Sequence, residues 1–305
     1  MNGEVSGPVW PVEPPPRAAV QAIIAAALAE DLGVVGDLTT STTIAPGRIA
    51  TGRIVAREPG TIAGLAIAAA VFEHLDAEVR VVPGSGGRGD SGADGSLADG
   101  DRVAAGTVLA TLAGDARAML TGERTALNLL GHLSGIATAT RTLVDAVAGT
   151  GARITDTRKT TPGLRALERY AVRCGGGRNH RSGLHDAVMI KDNHLVAAGS
   201  ITAAVRGVRA RVGHTVSVEL EVDRLDQLPE ALAVGVDVLL LDNLGPDALR
   251  EAVALVDGAA VTEASGGITV DTVRAVAESG VDVISVGWIT HSAPRLDVAL
   301  DLEVG

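Results

Sequence analysis

"VSVELEVDRLDQLPEALAVGVDVLLLDNLGPDALREAVALVDGAAVTEASGG" (residues 216–267) reads as strand, helix, strand, helix, strand. The runs 216–222, 236–242 and 260–265 are short, apolar and rich in β-branched residues, whereas 225–234 and 246–256 carry the three-to-four spacing of amphipathic helices. The alternation continues on both sides, with further strands expected at 153–157, 187–191 and 281–287 and helices at 162–173, 199–211 and 269–279. Apolar strands alternating with helices imply an α/β fold with a parallel sheet covered by helices. Nearly every strand ends in polar or glycine residues: Asp156-Thr157-Arg158-Lys159, Lys191-Asp192-Asn193-His194, Glu219 and Glu221, Asp242-Asn243, Glu263 with Ser265-Gly266-Gly267, and Val286-Gly287. An open doubly wound sheet concentrates its ligand contacts at one switch point. Six strand ends that each offer functional groups suit the C-terminal mouth of an α/β barrel instead.

The first part of the chain has a different texture. A Pro-rich arm (1–16) precedes a helix at 17–30, short strands within 47–64, a helix at 65–75 and a strand at 78–82. Residues 83–96 are almost all Gly, Ser and Asp and read as a mobile loop, and strand–turn–strand returns at 99–114. These elements make a small α+β domain. A long helical stretch follows over 117–147, with a break expected near Gly131 to Gly135. The expected organisation is an N-terminal domain at 1–118, a barrel at 119–291, and a tail at 292–305 that can pack back on the first domain.

Composition narrows the function. The chain of 305 residues is 46% hydrophobic, enough for a sizeable core, yet holds only four aromatic side chains. Its net charge is −11. An acidic chain poor in stacking rings is a poor nucleic-acid binder. Cys174 is the only cysteine, so an intramolecular disulfide and a thiolate-built zinc site are both excluded. The N-terminal stretch has no apolar core of a signal peptide, and no apolar run approaches a membrane span, so a soluble cytoplasmic protein is expected.

Against that acidic background, residues 153–191 carry nine Arg or Lys and three acids. The stretch includes "RCGGGRNHRSGLHD" (173–186), which sets Arg178, His180 and Arg181 on a glycine-rich backbone. A local positive cluster of this kind suits a small polyanion. The chain has twenty-four arginines and two lysines, Lys159 and Lys191, both at strand ends. An ammonium is a compact point charge and a guanidinium a planar fork, so lysine at these two places indicates sites that need the point charge. The glycine-rich turns at 265–267 and 286–288 are placed where barrels cradle a phosphate on backbone N–H groups. Gly84, Gly86 and Gly89 match a dinucleotide-binding spacing, but no helix follows them. Two readings remain from the residues: transfer of a phosphorylated sugar to an anionic partner, or a Schiff-base aldolase using Lys159 or Lys191.

"DTRKTTPGLRALERYAVRCGGGRNHRSGLHDAVMIKDNH" (156–194) resembles the central signature of the quinolinate phosphoribosyltransferases. "EDLGVVGDLTT" (30–40), "ERTALNLLGHLSGIAT" (123–138), "VELEVD" (218–223), "LLLDN" (239–243), "EASGGI" (263–268) and "SVGWITHS" (285–292) match in order. The resemblance implies an irregular open α/β barrel with an N-terminal α+β open-faced sandwich domain, and a homodimer with shared active sites. It implies that quinolinate and 5-phosphoribosyl 1-pyrophosphate give nicotinate mononucleotide, pyrophosphate and CO2, in the de novo synthesis of NAD. Carried over by position, Arg124 of the partner subunit, Thr157, Arg158, Lys159, His180, Arg181 and Lys191 bind quinolinate, the two lysines serving pyrophosphate as well. Glu221 and Asp242 contact the ribose and a Mg2+ ion, and Ser265, Gly266, Gly267, Val286, Gly287 and Trp288 hold the 5-phosphate. Trp288 stands where the family usually has a small residue, either narrowing the phosphate cradle or turning its ring away. The family's other duties, nicotinate phosphoribosyl transfer among them, are disfavoured by the Arg158/Arg181 pair, which suits a dicarboxylate.

Overall fold

The computed structural model describes residues 12–76, 78–85 and 95–304. The Pro-rich arm up to residue 11 and the glycine-rich stretch 86–94 lie outside the described residues. The chain divides into two compact units, one of residues 1–138, 162–174 and 294–305, the other of 139–161 and 175–293.

The first unit begins with α1 (Arg17–Leu32) and α2 (Leu38–Thr43), the latter capped by Asp37, whose carboxylate accepts the Thr40 N–H at 2.8 Å. Strand β1 (Ile49–Ala56) alternates exposed and buried residues, with Ala50, Ile54 and Ala56 turned inward. Then come β2 (Gly60–Thr61), α3 (Leu65–Leu75), β3 (Arg80–Pro83), β4 (Arg102–Val103), β5 (Val108–Asp115) and α4 (Ala116–Ala146). Asp99 fixes the start of α3: its carboxylate accepts the N–H groups of Gly64 and Leu65 at 2.8 and 3.0 Å.

The second unit is a six-stranded sheet, every pairing parallel: β6 (Arg153–Thr155), β7 (Val188–Ile190), β8 (Val218–Val222), β9 (Val238–Asp242), β10 (Val261–Ser265) and β11 (Val283–Ser285). Its order is β6-β11-β10-β9-β8-β7. From β7 to β11 each strand lies beside its predecessor in sequence, so the winding never reverses and there is no doubly wound switch point. The first strand pairs with the last, the closure that defines a barrel. Opening lies between β6 and β7, where Thr155 instead bridges to Arg178 of the intervening segment. This is the irregular open α/β barrel that the sequence led us to expect.

Helix α5 (Arg165–Cys174) lies between β6 and β7 in the chain but belongs to the first unit. Its Tyr170 hydroxyl donates to Asp99 at 2.6 Å, and Glu168, fully buried, pairs with His132 at 2.9 Å. The remaining helices are α6 (Asp192–Ala198), α7 (Ile201–Arg209), α8 (Leu228–Val234, after a 3-10 turn), α9 (Pro246–Val256), α10 (Val273–Ala277) and α11 (Trp288–His291).

The tail forms β12 (Val298–Val304), the outer neighbour of β1 in a sheet of order β12-β1-β5-β3. It explains why α4 runs unbroken where a break near Gly131 to Gly135 was expected. The two glycines sit four apart on one helical face, and the backbone of residues 294–296 lies directly on it. The Leu296 N–H donates to the Gly131 carbonyl at 2.9 Å, and a Cβ at Gly131 would stand 2.8 Å from the Leu296 oxygen. A Cβ at Gly135 would overlap the carbonyl of Pro294. Glycine here serves close approach rather than helix termination. Gly135→Ala is therefore expected to destabilise the protein by roughly 1–3 kcal/mol despite alanine's better helix propensity. Denaturant unfolding checks this, and a gain in stability would contradict the close approach.

Candidate active site

Strand ends of the barrel converge on one cavity of about 400 Å3. Lining it are the cations Arg158, Lys159, Arg181 and Lys191, the carboxylates Glu221, Asp242 and Glu263, and Thr157, His180 and Ser265. Of the residues expected at the site, Gly266 and Gly267 line a neighbouring cavity of about 280 Å3, with Ser265 common to both. Arg124 is exposed on α4 and is not among the lining residues.

The cations are packed against their own repulsion. Burial, followed by the charge of Arg158, depresses the Arg181 guanidinium below its usual pKa. The Nε of Arg158 is buried without a hydrogen-bond partner among the described residues. Two guanidiniums in one concave space, one with an unmet donor, make a receptor for an anion with more than one charge.

Two carboxylates, the buried Asp156 and the exposed Asp186, hold this arrangement in place. Asp156, fully buried at the end of β6, accepts the Asn179 side-chain amide and the His180 backbone N–H, each at 2.7 Å. It thereby pins the loop that carries His180 and Arg181. Asp186 closes the next turn by accepting the Ser182 N–H at 2.6 Å, its hydroxyl at 2.8 Å and the Gly183 N–H at 3.0 Å. Burial alone would raise the Asp186 carboxyl, but these hydrogen bonds outweigh it and hold the group well below its usual range.

Below them, His180 Nε2 lies 3.3 Å from Glu219 and 3.4 Å from Glu263, both carboxylates buried. Burial pulls the imidazole's pKa down, but the hydrogen bonds and charges of the two glutamates outweigh it and push it up. Burial, with Glu263's charge, likewise raises Glu219. The Arg181 backbone N–H, 2.7 Å from His180 Nδ1, needs a lone pair there. That leaves Nε2 to donate toward the two glutamates.

At the mouth, Lys191 Nζ contacts Glu221 Oε2 in an ion pair. The stem of Lys159 lies along Gly287, where a Cβ would stand 3.0 Å from its Cδ. The loop after β10 needs its glycines: Gly266 and Gly267 have φ of +101° and +60°, and a Cβ on Gly266 would overlap the Asn243 side chain. The Trp288 ring is turned to that loop, its indole N–H donating to the Ile268 carbonyl at 3.0 Å.

Comparison with known proteins agrees with this geometry. The family model for the quinolinate phosphoribosyl transferase C-terminal domain matches residues 136–301, and that for the N-terminal domain matches 37–134. The chain belongs to the quinolinate phosphoribosyltransferase family. It is 45% identical over 275 residues to a probable nicotinate-nucleotide pyrophosphorylase [carboxylating] of Bacillus subtilis, covering 90% of each chain. It is also 45% identical over 284 residues to the nicotinate-nucleotide pyrophosphorylase [carboxylating] of Mycobacterium leprae, covering 90% of this chain and 94% of that one. Among solved structures, NadC from Streptococcus pyogenes superimposes with a TM-score of 0.88 at 38% identity, over 95% of this chain and 98% of the other.

The sequence pattern shows the strand-end residues but not the supports behind them. Asp156, Glu219 and Glu263 are visible in the sequence only as carboxylates at strand ends, and Asn243 only as the residue after Asp242. The signal available for Asp156 was its place directly before the Thr157-Arg158-Lys159 run, at the inward end of a strand. Asp156→Asn keeps the shape but sets an amide NH2 against donors that now meet a carboxylate. It is expected to cost roughly 1–3 kcal/mol of stability and to weaken binding of the anionic substrate held by Arg181. Unfolding and substrate titration check the pair of effects, and unchanged binding would show that Asp156 does not position the loop.

Proposed function

We propose that the protein transfers the phosphoribosyl group of 5-phosphoribosyl 1-pyrophosphate to the ring nitrogen of quinolinate. Loss of pyrophosphate and CO2 then yields nicotinate mononucleotide, a step of de novo NAD synthesis. The observation that carries this reading is the Arg158/Arg181 pair with Lys159 and Lys191 in one cavity. A dicarboxylate and a pyrophosphate ester together demand that many cations, and a monocarboxylate such as nicotinate does not. For Lys191 the aldolase alternative loses ground because Glu221 engages its amine, whereas Schiff-base formation needs a free amine.

In this reading Arg158, Arg181 and Thr157 hold quinolinate together with Arg124 of the partner subunit in a homodimer. His180 supports the same site, with its ring nitrogens already engaged by the Arg181 amide and the glutamate pair. Lys159 and Lys191 neutralise the carboxylates and the departing pyrophosphate. The 5-phosphate rests on Ser265, Gly266, Gly267, Val286, Gly287 and the backbone of Trp288. Two carboxylates at the mouth, Glu221 and Asp242, suit Mg2+, which prefers one or two protein carboxylates completed by substrate phosphates. When bound, the ion offsets charge on the pyrophosphate.

As the bond to pyrophosphate breaks, negative charge grows on the leaving oxygens and positive charge on the ribose. The lysines stabilise the first, and Glu221 and Asp242 the second. Ribosylation leaves the ring nitrogen positive. The bond to the adjacent carboxylate then breaks with its electron pair kept on the ring carbon, CO2 departs and a proton replaces it. No helix of the described residues is long and apolar enough to cross a membrane. We infer a cytoplasmic enzyme that binds neither membrane nor nucleic acid.

Supplying quinolinate, nicotinate and nicotinamide separately with the sugar donor and Mg2+ tests the reading. CO2 and nicotinate mononucleotide are expected from quinolinate alone, and comparable turnover of nicotinate would overturn the assignment. Lys159→Arg and Lys191→Arg are each expected to lower kcat/KM by on the order of a hundredfold with folding intact, since a planar fork replaces a point charge. Near-normal turnover in both would remove the lysines from the mechanism.

A further inference from the structure

Of the three aromatic side chains among the described residues, Trp288 alone belongs to the barrel unit. Its indole N–H reaches across from α11 to the Ile268 carbonyl, one residue beyond Gly266-Gly267. On the same short helix Thr290 is fully buried, with its hydroxyl 2.8 Å from the Lys159 carbonyl and 2.9 Å from that of Gly287. One helical turn is thus tied on one side to the loop after β10 and on the other to the loop after β6. The loop after β10 needs such a tie. Gly266 and Gly267 both have left-handed φ, and nothing lies within 4 Å of the place a Gly267 Cβ would occupy. Glycine backbone of that kind is permissive, and a group that fixes it lowers the cost of ordering it around a ligand.

We propose that Trp288 is a positioning residue for the sugar donor: its indole hydrogen bond fixes the separation of the 265–268 and 286–288 loops, and so the fit of the seat to a phosphate monoester. The inference rests on the assignment of that seat to the 5-phosphate in the proposed function. It predicts an effect on one substrate only. In the proposed function quinolinate is held on the Arg158/Arg181 side, which the indole hydrogen bond does not touch, whereas the donor's phosphate meets both of the loops that this bond joins.

The test uses Trp10→Phe enzyme as the parent, in which Trp288 is the sole indole. Trp288→Phe in that background keeps a ring but removes the N–H donor. Loss of one hydrogen bond sets the expected scale: KM for the donor rises roughly three- to tenfold, while kcat and the KM for quinolinate change by less than about twofold. In the parent, 5-phosphoribosyl 1-pyrophosphate and inorganic phosphate each shift the Trp288 emission. Unchanged donor KM alongside a preserved emission shift would overturn the tie and leave the phosphate seat standing. Unchanged donor KM with no emission response to either ligand would overturn both. Equal increases in both KM values would reduce Trp288 to a structural residue and also overturn the proposal.

Discussion

Arg158 and Arg181 face one small cavity, and two guanidinium groups so placed repel unless opposite charge stands behind or between them. The protein supplies the charge behind. Asp156 and Asp186 hold the backbone that carries Arg181, and Glu219 and Glu263 hold His180 beside it. These carboxylates accept backbone N–H groups, a side-chain amide and an imidazole, and the charges of Glu219 and Asp186 also favour the Arg181 guanidinium. Four cations against three carboxylates line the cavity itself, so its lining stays positive on balance. That is how a chain of net charge −11 presents a cationic pocket. Asp156 and Glu219 lie behind the cavity, while Arg158, Lys159, Arg181 and Lys191 line it beside Glu221, Asp242 and Glu263.

The barrel's opening belongs to the same arrangement. A closed ring would pair β6 with β7, but residues 175–187 run between them instead, and Arg178 bridges to Thr155 on the β6 edge. This segment is the glycine-rich stretch that brings His180 and Arg181 to the cavity. Its backbone needs partners where a seventh strand would have supplied them. The bridge at Arg178, the Asp156 carboxylate and the Asp186 turn provide those partners. The gap in the sheet is thus the entry point of Arg181, one of the four cations that line the cavity, and the carboxylates that fill it position that residue.

The strand order and the residues at the mouth were legible because parallel strands are apolar runs that end abruptly in polar residues, and that pattern survives in a single sequence. Depth was not legible. Glu219 and Glu221 are two apart on β8 and share a face, so periodicity treats them alike. In the fold Glu219 is buried under His180 and Glu221 meets Lys191 at the rim. The unbroken α4 and strand β12 were hidden for another reason. Both depend on the tail meeting residues more than 150 positions earlier, and no local window contains that contact. Trp288 was left with two orientations because ring direction depends on a carbonyl twenty residues away.

The chemistry explains why position and charge are what this fold provides. The one cysteine is buried, and burial with Asp99's charge pushes its thiol up to about 12. It is no nucleophile. Phosphoribosyl transfer does not require one, because the donor arrives with a good leaving group and the acceptor with its own lone pair. Decarboxylation draws its electron sink from the ring nitrogen once that nitrogen is positive. What the reaction needs from the protein is two polyanions held close together in a space that excludes alternative partners, with their mutual repulsion cancelled. Rigid strand ends meet that need better than a mobile nucleophile would. The buried carboxylates add to it by keeping the loop cations in place before either substrate arrives.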